Sequence, residues 1–363
     1  MKKKPLIVVD ARMVGESMHG FARYVTLMAR GLSEKSPLPY DLIFLVHSDK
    51  AKAQLSGFET HHIRSPFLKP TEIVEIPFIL QKLRADFYHS PTFSSLLFSP
   101  CPWIITVHDL CHLQWGGIKE KLYYQILLKP FARRAHRLLT VSEFSKKEIL
   151  AWIGPKQIDV VYNAILAERV QPSEKERIEA TCSSRGLTFG KYLFCLSNPK
   201  PHKNVSTLIE AYRIYLARKK NVESVDLVLT LDQAPKLDGL HAIGSVNDRE
   251  AKDLLAGAKA LFFPSLYEGF GLPPVEACAL GTAVVVSDIP VHREALEDLM
   301  PAEVKWVLPK DLQGWVEAIE CAADSQLVSC SSASSQKILD RYSVKKLGEH
   351  MDQIYQSVLA SKV

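Results

Sequence analysis

Two carboxylates, Glu268 and Glu276, bracket the turn Gly269-Phe270-Gly271-Leu272-Pro273-Pro274. An apolar run over 260–264 precedes them and reads as a buried strand. The prolines can open a helix, because a first-turn proline gives up no needed hydrogen bond. The glycines permit close backbone approach. Glu268 is therefore expected on a loop at a strand's C-terminal end, and Glu276 one to two turns into the next helix. In open α/β sheets that edge is where ligands bind. A carboxylate pair there could serve as acid and base or steady a developing positive charge. Taken alone, it could equally be a tight turn with two solvated carboxylates.

Other residues could join such a site. Ser197-Asn198-Pro199-Lys200-Pro201-His202-Lys203-Asn204 joins a strand to a helix. Lys203 puts a mobile cation beside the helix start, which suits a diphosphate, and Asn204 is the candidate N-cap. The Gly-rich Walker pattern is absent from it. His108, within Thr106-Val107-His108-Asp109-Leu110, sits at another strand end, where Asp109 can bond locally. Gly20 in Gly20-Phe21-Ala22-Arg23-Tyr24 follows the first strand and a polar loop over 15–19. It opens a helix whose free N–H groups could meet an anion, or it simply begins that helix. His108, Cys111 and His112 lack a second ligand group and do not read as a zinc site. The sequence has no Asp-x-Asp triplet.

Alternating strands and helices must position these residues. In the first half, strands are expected at 6–10, 40–46, 58–64, 85–89, 103–107, 138–141 and 159–162. Helices are expected at 21–32, 73–83 (with Pro77 an irregularity), 119–135 and 145–151. A more charged segment, 164–190, reads as a linker with a short helix near 174–184. The alternation then restarts, with strands at 192–197, 225–231, 261–264, 283–287 and 305–308. Helices follow at 205–217, 248–255, 274–280, 312–322 and 344–359. This β-α alternation predicts doubly wound parallel sheets in two tandem Rossmann-like domains facing across a cleft. The first spans 1–168, the second 169–343, and the final helix, 344–363, returns to the first.

The 363 residues are enough for two domains, and 47% hydrophobic with 23% charged content is that of a soluble globular protein. No apolar run approaches the roughly 18 residues of a membrane span. The seven cysteines are odd in number and without C-x-x-C spacing, which fits reduced packing residues in the cytoplasm. Residues 1–165 carry 22 Lys+Arg against 14 Asp+Glu, and the remainder 23 against 26. The basic half could face anionic lipid, nucleic acid or phosphorylated substrates. Lys119 to Arg137 interleaves bases with Leu122, Tyr123, Ile126 and Phe131. That pattern fits an amphipathic helix on an anionic membrane or an ordinary surface helix.

In combination, these motifs resemble the retaining glycosyltransferases of family 4, which have the GT-B fold. Glu268 to Glu276 matches the family's E-x7-E motif, including its Gly-Phe-Gly-Leu-Pro interior. Gly20 to Tyr24, Val107 to Leu110, Val141 to Ser145, Val161 to Ala164 and Pro201 to Asn204 fall in family order. The resemblance covers about residues 6 to 355. It implies that Lys203 binds the donor diphosphate, with Ser197 and His202 beside it and Gly20 approaching from the other domain. It implies that Glu276 bonds the nucleotide ribose. Glu268, with the amides of Gly269, Phe270, Gly271 and Leu272, would contact the donor sugar near the reacting carbon, and His108 would contact that sugar. Two departures stand out: His202 precedes Lys203 where many members have Arg, and the first loop has one glycine, not two.

The implied activity is metal-independent transfer of a hexose from a nucleotide sugar to a glycan or lipid-linked acceptor, with no cofactor. Mannose from GDP-mannose is the preferred donor, on the likeness of the Glu268 turn and of Pro290-Val291-His292-Arg293-Glu294 to mannosyltransferases; a UDP-sugar is the alternative. A catalytically silent binding protein on the same fold is the rival class. No nucleic-acid partner is expected. The expected location is cytoplasmic, peripheral on the inner membrane face through 119–137.

Overall fold

The computed structural model describes residues 3–15, 20–55, 57–166, 169–219 and 225–361. Residues 16–19 of the polar loop, and 167–168 at the expected domain boundary, lie outside the described residues. The chain forms two compact units, one of residues 1–164 with 342–363 and one of 165–341.

The first unit holds strands β1 (Leu6–Asp10), β2 (Asp41–Val46), β3 (Glu59–His62), β4 (Phe87–Ser90), β5 (Trp103–Thr106), β6 (Arg137–Thr140) and β7 (Ile158–Val160). They form one sheet in the order β3-β2-β1-β4-β5-β6-β7, and its pairings are parallel. Its helices are α1 (Gly20–Ser33), α2 (Asp49–Gln54), α3 (Glu72–Leu83), α4 (Cys111–Trp115), α5 (Ile118–Tyr123), α6 (Lys129–Arg134) and α7 (Glu143–Ile153). A π-helical turn, Tyr124–Leu128, joins α5 to α6, so the basic stretch is one helical run from Ile118 to Arg134. Central strands such as Leu6–Asp10 are buried along their whole length, as helices on both faces of a parallel sheet require.

The second unit has α8 (Lys175–Ser184), β8 (Tyr192–Cys195), α9 (Val205–Arg218), β9 (Asp226–Leu229), β10 (Leu240–Ala242), α10 (Asp248–Gly257) and β11 (Ala260–Phe263). It continues with α11 (Leu272–Leu280), β12 (Ala283–Ser287), α12 (Pro290–Ala295), β13 (Val304–Val307), α13 (Leu312–Ala323) and α14 (Ser332–Arg341). Its parallel sheet runs β10-β9-β8-β11-β12-β13. The α/β class is thus as the sequence implies.

Five elements escape the hydrophobic pattern: α2, α4, β10, α12 and α14. The first four are too short to display a period. Helix α14 begins in the serine-rich stretch, where Ser334 and Ser335 are buried and let the helix approach α11 closely. Its start is anchored on Glu303, whose carboxylate accepts from the Ser331 amide (2.7 Å) and the Ser334 hydroxyl (2.6 Å).

The last helix, α15 (Val344–Ala360), packs against α1 in the first unit's core, with Leu347, Met351 and Tyr355 buried there. Gly31 and Gly348 set the approach. A Cβ on Gly348 would lie 2.2 Å from the Gly31 main chain, and one on Gly31 would lie 2.4 Å from the Val344 carbonyl oxygen. Neither contact can be relieved by rotating a side chain. Gly348→Ala should therefore destabilise the protein despite alanine's better helix propensity. The expected loss is about 1–3 kcal/mol, the usual range for overpacking. Denaturant titration measures it, and unchanged or increased stability would show that the helices can separate freely.

Candidate active site

In the second unit the strand order reverses between β8 and β11, and the loops leaving those two strands carry Lys203 and Glu268. Such a reversal opens a crevice beyond the strands' C-terminal ends. Lys203 Nζ lies 2.6 Å from Glu268 Oε1, with both side chains largely buried, and 5.4 Å from the centre of the Phe263 ring. Burial by itself would raise the Glu268 pKa. The Lys203 ammonium, by its charge and its hydrogen bond, outweighs it and holds the carboxylate below its ordinary value.

The two loops are tied together by their backbones: the Leu266 amide donates to the carbonyl of buried His202 at 2.7 Å. Asn204 precedes α9, but its side chain does not cap the helix. Its backbone is left-handed (φ 55°), and Nδ2 donates to the carbonyls of Pro264 (3.1 Å) and Pro309 (2.7 Å). It braces the Lys203 loop against the end of β11, a long-range task that local sequence could not distinguish from capping. Ser197 exchanges hydrogen bonds with Thr230, its amide donating to Oγ1 and its carbonyl accepting from it, both at 2.8 Å.

Gly269, Phe270 and Gly271 are buried, and Gly271 enters α11 at φ 92°, a conformation that favours glycine. The helix begins at Leu272, so Pro273 and Pro274 occupy its first turn and bring no N–H. Of the helix's first four residues, only Leu272 and Val275 therefore carry an N–H. Glu276 is half-buried one turn into α11.

Two groups of residues were not anticipated as parts of the site. His292 on α12 is fully buried, with its Nδ1–H donating to the Ser287 carbonyl at 2.9 Å and its Nε2 without a hydrogen-bond partner. A Cβ on Gly271 would stand 3.0 Å from His292 Cδ2 and 3.3 Å from Nε2. His292 is thus the floor under the Gly-Phe-Gly turn. Burial lowers its pKa and keeps it neutral. The segment Pro290 to Glu294 stood out in the sequence only for its likeness to other chains.

The second group lies in the first unit. Arg12, buried, grips Asp10 through Nε–Oδ1 (2.9 Å) and Nη2–Oδ2 (2.7 Å), and pairs with Glu72 Oε2 at 2.9 Å. Its Nη2 also donates to Ser94 Oγ at 3.1 Å. Burial opposes the Arg12 charge, but Asp10 more than offsets it and the net pKa rises. Burial raises the Glu72 pKa. Ser94 in turn accepts from Ser90 Oγ at 2.7 Å, so the network fixes the 90–95 loop.

That loop supplies the partner of His108. The His108 ring nitrogen Nε2 lies 2.9 Å from the Pro91 carbonyl, which can only accept, so Nε2 carries the proton and the neutral ring keeps Nδ1 as an acceptor. The ring is wedged edge-on between Phe21 (4.9 Å) and Tyr24 (4.8 Å) of α1. Burial lowers its pKa to about 4. The start of α1 and His108, far apart in sequence, are thereby joined. Gly20 is exposed, and a methyl group there would meet nothing within 4 Å, so packing does not require glycine at this position. Asp109 Oδ1 accepts from the Cys111 amide at 2.8 Å. Among the described residues no group of three or more His, Cys, Asp or Glu is placed to hold a metal ion.

The residues expected to bind the donor, Ser197, His202, Lys203, Glu268 to Leu272 and Glu276, belong to the second unit, and Gly20 and His108 to the first. Two family models match the chain, one over each unit. Residues 18–169 match the family model Glycosyltransferase Family 4, and residues 190–326 match Glycosyl transferases group 1. The chain is 31% identical over 230 residues to the O-antigen chain mannosyltransferase RfbU of Salmonella typhimurium, covering 60% of this chain and 59% of that protein. It is 33% identical over 188 residues to the MMP alpha-(1->4)-mannosyltransferase of Mycolicibacterium hassiacum, covering 48% of this chain and 41% of that one. The chain thus spans less than two thirds of either relative's length. Among solved structures, Anabaena HepE in complex with UDP and glucose superposes with a TM-score of 0.73 at 15% identity, covering 98% of this chain and all of that one. At that identity it shows the fold alone.

Two outcomes follow from the geometry. Gly271→Ala combines an unfavourable φ with the 3.0 Å approach to His292, so it should lower stability by about 1–3 kcal/mol and weaken anion binding at the turn. A variant with native melting behaviour would show that the turn is free to relax. The second concerns pH. His89 is fully buried between Tyr355 OH (2.7 Å) and Thr106 Oγ1 (2.9 Å), and burial lowers its pKa to about 3. Between the ordinary value of 6.5 and the lowered values of His89 and His108, the unfolded chain binds more protons than the folded one. Stability should therefore fall as pH drops through that window, by up to about 1.4 kcal/mol per pH unit for each histidine. His89→Gln should flatten the slope, as measured by denaturant midpoints from about pH 7 to about pH 4.5. A flat wild-type profile would mean that both rings protonate in place.

Proposed function

This chain belongs to the family 4, group 1 glycosyltransferases, and we propose that it transfers a hexose from a nucleotide sugar to a glycan or lipid-linked acceptor with retention at the sugar carbon. The observation that carries this reading is the Lys203–Glu268 pair at the strand-order reversal of the second sheet, 2.6 Å apart beside the Gly-Phe-Gly turn. Cleaving a sugar–diphosphate bond builds negative charge on the departing oxygens and positive charge on the sugar carbon. Lys203 and amides of the 269–272 turn suit the first, and the ionised Glu268 suits the second. In this reading no metal is needed at the diphosphate. Glu276 holds the nucleotide ribose, with Ser197 and His202 lining the same donor site.

His108 contributes from the first unit. Its neutral ring can accept a sugar hydroxyl at Nδ1, which a protonated imidazole could not do. Gly20, with nothing near its Cα substituent position, leaves the start of α1 open to the diphosphate. We take the departing phosphate oxygen as the group that removes the acceptor's proton, so that the new bond forms on the face the leaving group quits.

Mannose from GDP-mannose is the preferred donor, supported by the two mannosyltransferase relatives. A UDP-sugar is the second reading, favoured by the HepE structure, whose complex holds UDP and glucose. A cytoplasmic location, peripheral on an anionic membrane through 119–137, belongs to the same proposal. Among the described residues no helix is long and apolar enough to cross a membrane.

The reading is tested with a thermal-shift panel of GDP-, UDP- and ADP-sugars, since a ligand bound only by the native state raises its melting temperature. One nucleotide class should stand out, and no shift with any of them would remove the proposal. Glu268→Gln should lower turnover about 100-fold or more with little change in donor affinity, the scale of losing one transition-state electrostatic contact. Glu276→Gln should mainly weaken donor binding. If both variants merely lowered stability, the turn would have a structural role only.

A further inference from the structure

The large apolar side chains left exposed in this molecule are unevenly placed, with most of them lying in the first unit between residues 68 and 126. Apart from Leu68 and Trp115, they come from three elements. Helix α3 presents Val74 and, four residues on, Phe78, which is 63% exposed. The loop after β4 presents Leu97 and Phe98, the latter 61% exposed. The helical run from Ile118 presents Ile118, Leu122 and Ile126, spaced by four so that they share one stripe.

These elements lie side by side on one face of the sheet. The inner sides of α3 and of the 118–134 run pack into a single core with Leu96, whereas α1 and α15 belong to the opposite core. Hydrogen bonds fasten the loop to both helices. Ser94 Oγ donates to Glu72 Oε1 at the start of α3 (3.1 Å). Tyr123 OH donates to the Phe93 carbonyl (2.9 Å), the Ser95 amide donates to Tyr123 OH (3.0 Å), and Arg134 donates to the Leu97 carbonyl (3.1 Å). The apolar tips therefore stand on a fixed base.

Charge identifies the occupant. Among the described residues from 69 to 134, seven Lys or Arg are exposed, against one exposed acid, Glu120. The nearby acids are turned to structural tasks: Glu72 pairs with Arg12, and Glu75 accepts from the amides of Arg64 and Ser65. Apolar stripes between long basic side chains suit an interface where rings enter the acyl boundary and cations meet phosphates.

We propose that α3, the 95–99 loop and the 118–134 helix form one docking face for an anionic lipid bilayer, with Phe78, Phe98 and Ile126 as its inserted tips. The proposal deepens the membrane reading of 119–137 and rests on it, not on the transfer reaction. It adds two elements outside that helix, and they supply both inserted aromatic rings. The helix by itself exposes only aliphatic side chains along its stripe.

The test is flotation of the full chain with vesicles of phosphatidylcholine alone or mixed with phosphatidylglycerol in equal parts. The wild type should float with the mixed vesicles, far less with the neutral ones, and less as salt is raised. Phe78→Ser/Phe98→Ser should weaken binding about tenfold or more, while Phe189→Ser in the second unit leaves it unchanged. Circular dichroism and the donor thermal shift of the double variant should match the wild type, because both rings point away from the core. No flotation of the wild type, equal flotation with neutral vesicles, or an unaffected double variant would overturn the proposal. So would a wild-type dimer that the double substitution splits without changing vesicle binding, since the face would then join two copies. Flotation needs no turnover: if no donor shifts the melting curve yet flotation behaves as stated, the transfer reading fails and the docking face stands.

Discussion

A lysine and a glutamate held 2.6 Å apart, both largely out of water, are the constraint on which the second unit's crevice depends. Removing either partner would leave a largely buried ion uncompensated, at a cost of up to roughly 3–5 kcal/mol. The pairing therefore demands that two loops 65 residues apart meet in one register. The Leu266–His202 backbone bond and the Asn204 brace enforce that register, and both originate at the reversal of strand order. The same pair keeps Glu268 ionised, the state in which it can face a developing positive charge.

The first unit solves a different problem. It keeps a histidine neutral and aimed, using a carbonyl on one ring nitrogen and two aromatic edges on the ring. The Pro91 carbonyl is itself fixed by the buried Asp10–Arg12–Glu72 network, acting through Ser94 and Ser90. Replacing buried ions of this kind by apolar packing is often neutral or stabilising, whereas removing one partner alone is costly. Helix α15 closes the core behind this site, and Tyr355 reaches His89 to complete a second neutral imidazole.

The motifs legible in the sequence were those in which local chemistry and local geometry coincide. Glu268, the two glycines and the prolines are neighbours in the chain, so their strand–turn–helix placement could be read from residue order. Lys203 was legible as a cation before a helix, but its partner was not. Asn204 shows the limit: its type and position are those of a cap, and the fold spends its amide on two distant carbonyls instead. His292 and Arg12 were invisible as site residues because each acts through contacts made only on folding. The serine-rich start of α14 failed to look helical because its stabilisation comes from Glu303 and close packing against α11.

By itself, the sequence determined the α/β alternation, the parallel sheets and the family motifs in their order. Apolar periodicity and turn chemistry are properties of short segments and survive without tertiary context. Only the tertiary structure decided which charges neutralise one another, which histidines stay unprotonated, and that Gly31 and Gly348 let α1 and α15 touch backbone to backbone. It also decided that three separate elements expose their apolar tips on one basic face. Those outcomes depend on distance and burial, which arise when remote segments are brought together and displace water.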